Sequence, residues 1–232
     1  MKNKKPLALF NGTYIGHKPT GIGVVSRDLS KALNPDFVAF LDPLKGSENG
    51  NVQIPSNLTP DFGTKGHIRR LLWTQFKLPL ILRERRIPLF LSPLPEAPVL
   101  QGVRSIVLAH DLLPLRYPQW TPLLAYHLSY VPVVLHTAER ILCNSEATAR
   151  EIHSRLGIRI KKLIPIPLGF DTANLRPLSL AREPFFLILG RHDPHKNIER
   201  VLRGFAEFNK RSMRLLIVGP QDKRYTPRLL QL

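Results

Sequence analysis

One cysteine, Cys143, stands among 232 residues, so no disulfide can close within the chain. It lies in the apolar run Ile141-Leu142-Cys143, where a thiol packs as a small hydrophobe rather than serving as a nucleophile. A chain that does without disulfides belongs in a reducing compartment. Acidic residues are also scarce: 17 Asp and Glu face 34 Lys and Arg, for a formal net charge of +17. The excess runs along the whole sequence rather than gathering in a tail, so the surface attracts phosphates, acidic glycans and anionic lipid headgroups. Long apolar runs are missing too. None approaches the ~18 residues that a membrane helix needs. The basic start Met1–Lys5 is followed only by Leu7–Phe10, too short a stretch for a secretory signal. These absences predict a cytoplasmic protein, with peripheral contact to an anionic membrane as an open option.

Further absences narrow the chemistry. The histidines, among them His110, His127, His136, His153, His192 and His195, show no metal-ligand spacing such as H-E-x-x-H. There is no G-x-x-x-x-G-K loop and no serine nucleophile elbow. Aromatic residues are 8% of the chain and carry no RNA-stacking spacing, and no DNA-reading motif occurs. Nucleic acid is therefore not an expected partner, and no metal or bound cofactor is expected.

What is present is alternation. Hydrophobic residues make up 43%, enough for a core. Strands are predicted at Leu7–Phe10, Phe37–Leu41, Pro88–Leu91, Ser105–Ala109, Arg140–Cys143 and Lys162–Ile166. Helices are predicted at Ile22–Leu33, at His67–Arg86 with a kink at Pro79, at Leu123–Thr137 with an interruption at Pro132, and at Glu146–Leu156. Residues 42–65 read as loop and 172–184 as linker. The pattern then restarts with strand Phe185–Leu189, helix Ile198–Phe208 and strand Leu215–Val218. Such β-α-β alternation predicts an α/β fold with a parallel sheet covered by helices. The expected layout is a Rossmann-like domain over 1–171, the linker, and an incomplete second Rossmann-like domain over 185–232.

In open α/β sheets, ligands sit beyond the carboxyl ends of the strands. Four segments place reactive groups there. Thr20-Gly21-Ile22-Gly23 opens the first helix; Gly21 and Gly23 either let backbone approach a phosphate or make an ordinary turn. His110-Asp111 ends a strand; His110 is suited to donate to a sugar oxygen, and Asp111 orients it or serves the next turn. Asn144-Ser145-Glu146 reads as a helix cap, with Glu146 facing the dipole. Gly190-Arg191 with Lys196 brings a guanidinium fork and a point charge to the mouth of a helix, suited to a diphosphate; a solvated surface pair is the alternative.

Five segments in order resemble glycosyltransferase family 4: Pro19-Thr20-Gly21-Ile22-Gly23; His110 through Pro118 (His-Asp-Leu-Leu-Pro-Leu-Arg-Tyr-Pro); Cys143-Asn144-Ser145-Glu146-Ala147-Thr148; Ile166-Pro167-Leu168-Gly169-Phe170-Asp171; and Gly190-Arg191 with His195-Lys196-Asn197. The resemblance implies a two-domain GT-B architecture and retaining transfer of a sugar from a nucleotide sugar in the interdomain cleft to a glycan or lipid-linked acceptor. It implies that Arg191 and Lys196 neutralise the diphosphate, that Gly21 and Gly23 approach the same phosphates, and that His110 meets the donor sugar. The His110–Pro118 segment looks mannosyltransferase-like, which points to GDP-mannose. Family members carry an E-x7-E pair in the second domain, whereas no glutamate follows Gly219 here. On this reading the C-terminal domain is truncated and its activity is in doubt. The alternatives are a remnant enzyme or a non-catalytic binding subunit, with a protein partner covering the incomplete sheet.

Overall fold

The computed structural model describes residues 5–17, 21–42, 51–169, 181, 183–208 and 213–232. Of the expected linker 172–184, only 181, 183 and 184 are among the described residues, and of the basic start only Lys5. The chain divides into two units, Met1–Phe170 and Asp171–Leu232.

The first unit is built on seven strands: β1 (Ala8–Asn11), β2 (Val38–Asp42), β3 (Val52–Gln53), β4 (Leu89–Ser92), β5 (Ser105–Ala109), β6 (Arg140–Cys143) and β7 (Leu163–Pro165). Every pair is parallel, in the order β3-β2-β1-β4-β5-β6-β7. Parallel strands are covered on both faces, which is why these segments read as nearly continuous apolar runs. Period-two alternation divides β1 between two cores. Leu9 joins Leu78, Phe90, Val107, Val134 and Ile141 on one face. Ala8 and Phe10 pack with Val38, Leu29 and Leu33 on the other. The chain winds one way through β1, β2 and β3, then the other way from β4 to β7. A crevice therefore opens beyond the carboxyl ends of β1 and β4.

Among the described residues six helices join the strands: α1 (Gly21–Ala32), α2 (Gly63–Phe76), α3 (Leu78–Glu84), α4 (Leu113–Arg116), α5 (Pro122–Thr137) and α6 (Glu146–Leu156). Several depart from expectation. The predicted loop 42–65 contains β3, two short 3-10 turns (Ser56–Leu58 and Pro60–Phe62) and the start of α2. Val52, Ile54 and Leu58 are buried; three isolated anchors give no periodic signal. The single kinked helix His67–Arg86 is two helices that part at Lys77. Pro79 lies in the first turn of α3, where a missing N–H costs nothing. Helix α5 runs unbroken through Pro132. Val131, Val134 and Leu135 are fully buried around it, and that packing outweighs the one lost backbone bond. Strand β7 ends at Pro165, which an edge strand tolerates.

The second unit has β8 (Phe185–Leu189) and β9 (Arg214–Val218) paired in parallel, with α7 (Ile198–Phe208) between them in sequence and α8 (Thr226–Leu229) after them. The expected β-α-β unit is present. Phe205 and Phe208 of α7 meet Phe186 edge to face, with ring centres 6.0 and 5.8 Å apart. Phe185, Phe186, Leu187 and Leu189 all remain exposed.

Candidate functional site

The crevice end of the first sheet is lined by polar groups that interrupt apolar runs. Asn11 closes β1 and Ser92 closes β4; Asn11 Nδ2 donates to Ser92 Oγ at 3.1 Å across the point where the winding reverses. Thr13 Oγ1 donates back to Asn11 Oδ1 at 2.6 Å. All three are buried. The loop after β1 is held tightly. A Cβ on Gly12 would lie 2.1 Å from the Leu41 carbonyl oxygen, and one on Gly16 would lie 2.7 Å from the Asp61 carboxylate. Asp61 also accepts from the His17 N–H at 3.1 Å. The polar ends of β1 and β4 were visible in sequence only as residues terminating hydrophobic runs.

Helix α1 returns from this loop. Because β1 and β2 are parallel, α1 runs opposite to them and its amino end lies at the carboxyl edge of the sheet. Its first turn carries no acidic residue, so nothing there offsets the partial positive charge of the helix start. Gly21 is exposed and Gly23 buried. Thr20, the expected entry residue, lies outside the described residues.

His110 follows β5 at the same edge. Its Nε2 lies 2.8 Å from the Pro93 carbonyl oxygen. A carbonyl only accepts, so Nε2 carries the proton and Nδ1 is left with a lone pair. Burial pushes the pKa down, outweighing the Pro93 bond and the charge of Asp111. His110 is thus a neutral acceptor. The expected donation to a sugar oxygen is corrected: the proton is committed to Pro93, and Nδ1 can receive a hydroxyl. Asp111 takes the turn-serving role, its Oδ1 accepting from Leu113 N at 3.0 Å. Ser145 caps α6, Oγ accepting from Thr148 N at 3.1 Å. Thr148 Oγ1 lies 3.2 Å from the His110 carbonyl and 2.8 Å from Asn144 Oδ1, which ties the ends of β5 and β6 together. Glu146 pairs with Arg150 at 3.5 Å, both exposed, as a helix-face carboxylate.

Behind this edge lies a buried charge cluster that sequence reasoning missed. Arg70 Nε and Nη2 donate to the two carboxylate oxygens of Glu96 at 2.7 and 2.8 Å. Nη1 donates to the Leu58 carbonyl at 3.2 Å. The Tyr14 ring lies 5.1 Å from the guanidinium carbon. Nη2 is also 2.7 Å from His67 Nδ1. Since a guanidinium only donates, His67 is neutral and protonated on Nε2; that nitrogen is buried without a partner. Burial, helped by Arg70, holds the His67 pKa below its ordinary value. Burial also raises the Tyr126 hydroxyl, which lies 3.5 Å from Glu96. Glu96 anchors the segment that presents the Pro93 carbonyl to His110. Within the predicted helix His67–Arg86, Arg70 thus turns inward and is buried.

In the second unit the candidate residues follow β8. Gly190 and Gly219 end the two strands, each with φ of 153°, and the Gly190 N–H donates to the Val218 carbonyl at 2.9 Å. Arg191 is mostly exposed, its Nε 3.3 Å from Asp193 Oδ2. Asp193 also accepts, through its carbonyl, from Lys196 N at 2.9 Å. Asp193 thus holds the Arg191 side chain through its carboxylate and the Lys196 backbone through its carbonyl. Lys196 ends a 3-10 turn, and Asn197, with φ of 52°, closes it before α7 begins. Lys196 stands before the helix rather than in it. His192 turns inward, with Nδ1 3.0 Å from Thr226 Oγ1.

Among the described residues no cluster of His, Cys, Asp or Glu is placed to hold a metal, and no helix is long and apolar enough to cross a membrane. A family model described as Glycosyltransferase Family 4 matches residues 19–174, a span that takes in Gly21, Gly23 and His110 and stops short of Arg191 and Lys196. No curated protein matches the chain.

Proposed function

Because the chain belongs to glycosyltransferase family 4, we propose that it transfers a hexose from a nucleotide sugar to a glycan or lipid-linked acceptor with retention of configuration, GDP-mannose being the first donor to test. In this reading the bond from the anomeric carbon to the diphosphate breaks while the acceptor oxygen bonds to that carbon. Negative charge grows on the departing diphosphate, and Arg191 and Lys196 neutralise it there. The amino end of α1, at Gly21 and Gly23, supplies backbone N–H groups to phosphate oxygens. His110 receives a hydroxyl of the donor sugar through Nδ1.

The observation that carries the reading is the state of His110. It is a neutral acceptor fixed at the carboxyl edge of a parallel sheet, inside the span that matches the family. The test is release of nucleoside diphosphate from a panel of nucleotide sugars, with the anomeric configuration of the product read by NMR. We expect turnover that falls about 100-fold in Arg191→Gln and similarly in Lys196→Gln and His110→Ala. Inverted product would remove retention from the proposal, and turnover indifferent to all three variants would remove the assigned roles.

A second reading, a binding subunit without turnover, is favoured by the exposed apolar side of the β8–β9 sheet, where Leu187 and Leu189 are 54% and 77% exposed. Donor binding without transfer, together with concentration-dependent self-association or partner capture in gel filtration, would favour it over the first.

A further inference from the structure

The cations of the first unit are unevenly placed. Strands β4 to β7 are parallel, so their amino ends share one edge of the sheet, opposite to His110. With strands of three to five residues, the two edges lie roughly 15 Å apart. The segments that enter the far edge are rich in positive charge. Arg83 and Arg86 precede β4, Arg104 precedes β5, and Arg140 opens β6. Arg159, Lys161 and Lys162 precede β7. Two hollows of about 620 and 530 Å³ lie between these segments, and both are lined by Gly102, Val103 and Arg104. Together they make one groove along the amino edge.

The overall basicity of the chain does not account for this groove. Several arginines elsewhere are matched to carboxylates, among them Arg116 and Arg155 to Glu151, Arg150 to Glu146 and Arg203 to Glu199. In the groove the one lining carboxylate is Glu139, and Arg104 grips both its oxygens at 2.8 and 3.1 Å. Among the described residues, Arg83, Arg86, Arg159 and Lys161 have no ion pair. Lys162 Nζ donates to the His136 and Ala138 carbonyls at 2.6 and 2.8 Å. Burial lowers its pKa first, and the neighbouring Arg159 and Arg140 lower it further. Four separate segments thus bring like charges together beside apolar walls such as Val99, Leu82 and Ile87. Like charges so placed repel one another unless an anion lies among them.

We propose that this groove is a binding site for a multiply charged phosphate-type anion, either a soluble polyphosphate or the headgroups of an anionic lipid. Guanidinium forks match phosphate oxygens two at a time, and Lys161 adds a movable point charge. None of the residues assigned to sugar transfer takes part.

Two probes separate the sources. Tripolyphosphate is titrated by calorimetry, and vesicles of phosphatidylglycerol in phosphatidylcholine are tested by co-sedimentation. Binding to at least one probe is expected, weakened about tenfold or more in the triple variant Arg86→Gln, Arg159→Gln, Lys161→Gln. The triple variant Lys31→Gln, Lys65→Gln, Lys223→Gln removes equal charge from exposed positions elsewhere, and it should change binding less than about twofold. Tripolyphosphate binding without vesicle binding identifies a soluble anion; the converse identifies a lipid surface. Equal loss in the two triple variants, binding kept in the groove variant and lost only in Arg191→Gln with Lys196→Gln, or binding to neither probe overturns the proposal. Because binding is the readout, such a failure leaves the glycosyl-transfer reading standing.

Discussion

Arg70 and Glu96 form a two-point ion pair with both residues only 1% exposed. Twenty-six residues separate them in sequence, and the pair joins α2 to the segment that follows β4. Removing one partner leaves an unpaired charge in the interior. We expect Arg70→Ala or Glu96→Ala to cost about 3–5 kcal/mol in urea unfolding. Replacing both together, Arg70→Met with Glu96→Leu, should cost less than the two single changes added. Single losses under about 1 kcal/mol would mean the pair is solvated.

Gly190 and Gly219 approach so closely that a Cβ on residue 219 would fall on the carbonyl oxygen of Gly190. Both also hold φ in the region that side chains resist. Gly219→Ala should therefore destabilise the second unit by about 3 kcal/mol or more and leave the first cooperative. Limited proteolysis shows the difference: rapid loss of the C-terminal segment with a resistant core from the first unit. A variant as resistant as the parent would contradict the close approach.

The sequence shows its strands and long helices because parallel strands are apolar throughout and helices repeat their apolar face. Leu9, Phe90, Val107 and Ile141 were legible for that reason. Helix α4 and strand β3 were not, because four residues and two residues carry no period. Pro79 and Pro132 misled for opposite reasons: one starts a helix, and the other sits in a helix whose packing overrides it. His110 in the first unit and Arg191 in the second were legible as polar residues that follow strands. Glu96 and Arg70 were not, since nothing in sequence pairs residues that meet only through the fold. The proton on His110 was equally hidden, because Pro93 decides it.

Cys143 is wholly buried at the end of β6, and burial raises its pKa from 9.0 to about 11. At pH 8 only about one thiol in a thousand is ionised, and the thiolate is the reactive form. Disulfide exchange with an aromatic disulfide reagent should be slow in the native protein and complete within minutes in denaturant. Fast native labelling would show that β6 opens, and would restore the nucleophile reading that the apolar run argues against.

His67, His110 and His127 share one electrostatic condition: burial lowers the pKa of each from the ordinary 6.5. In the unfolded chain these rings take protons near 6.5; in the fold they take them only at lower pH. The unfolded state therefore binds more protons as acid is added, and stability falls with it. The contribution is complete above about pH 6.5 and is lost as pH drops through the folded values. Urea midpoints should be level from pH 8 to about 7 and should decline toward pH 5. In His110→Gln the side-chain amide can still donate to the Pro93 carbonyl but no longer titrates, so its decline should be shallower than that of the parent while stability at pH 8 is nearly kept. A midpoint that rises on acidification would place these rings among carboxylates rather than in the interior, and would withdraw the neutral acceptor assigned to His110.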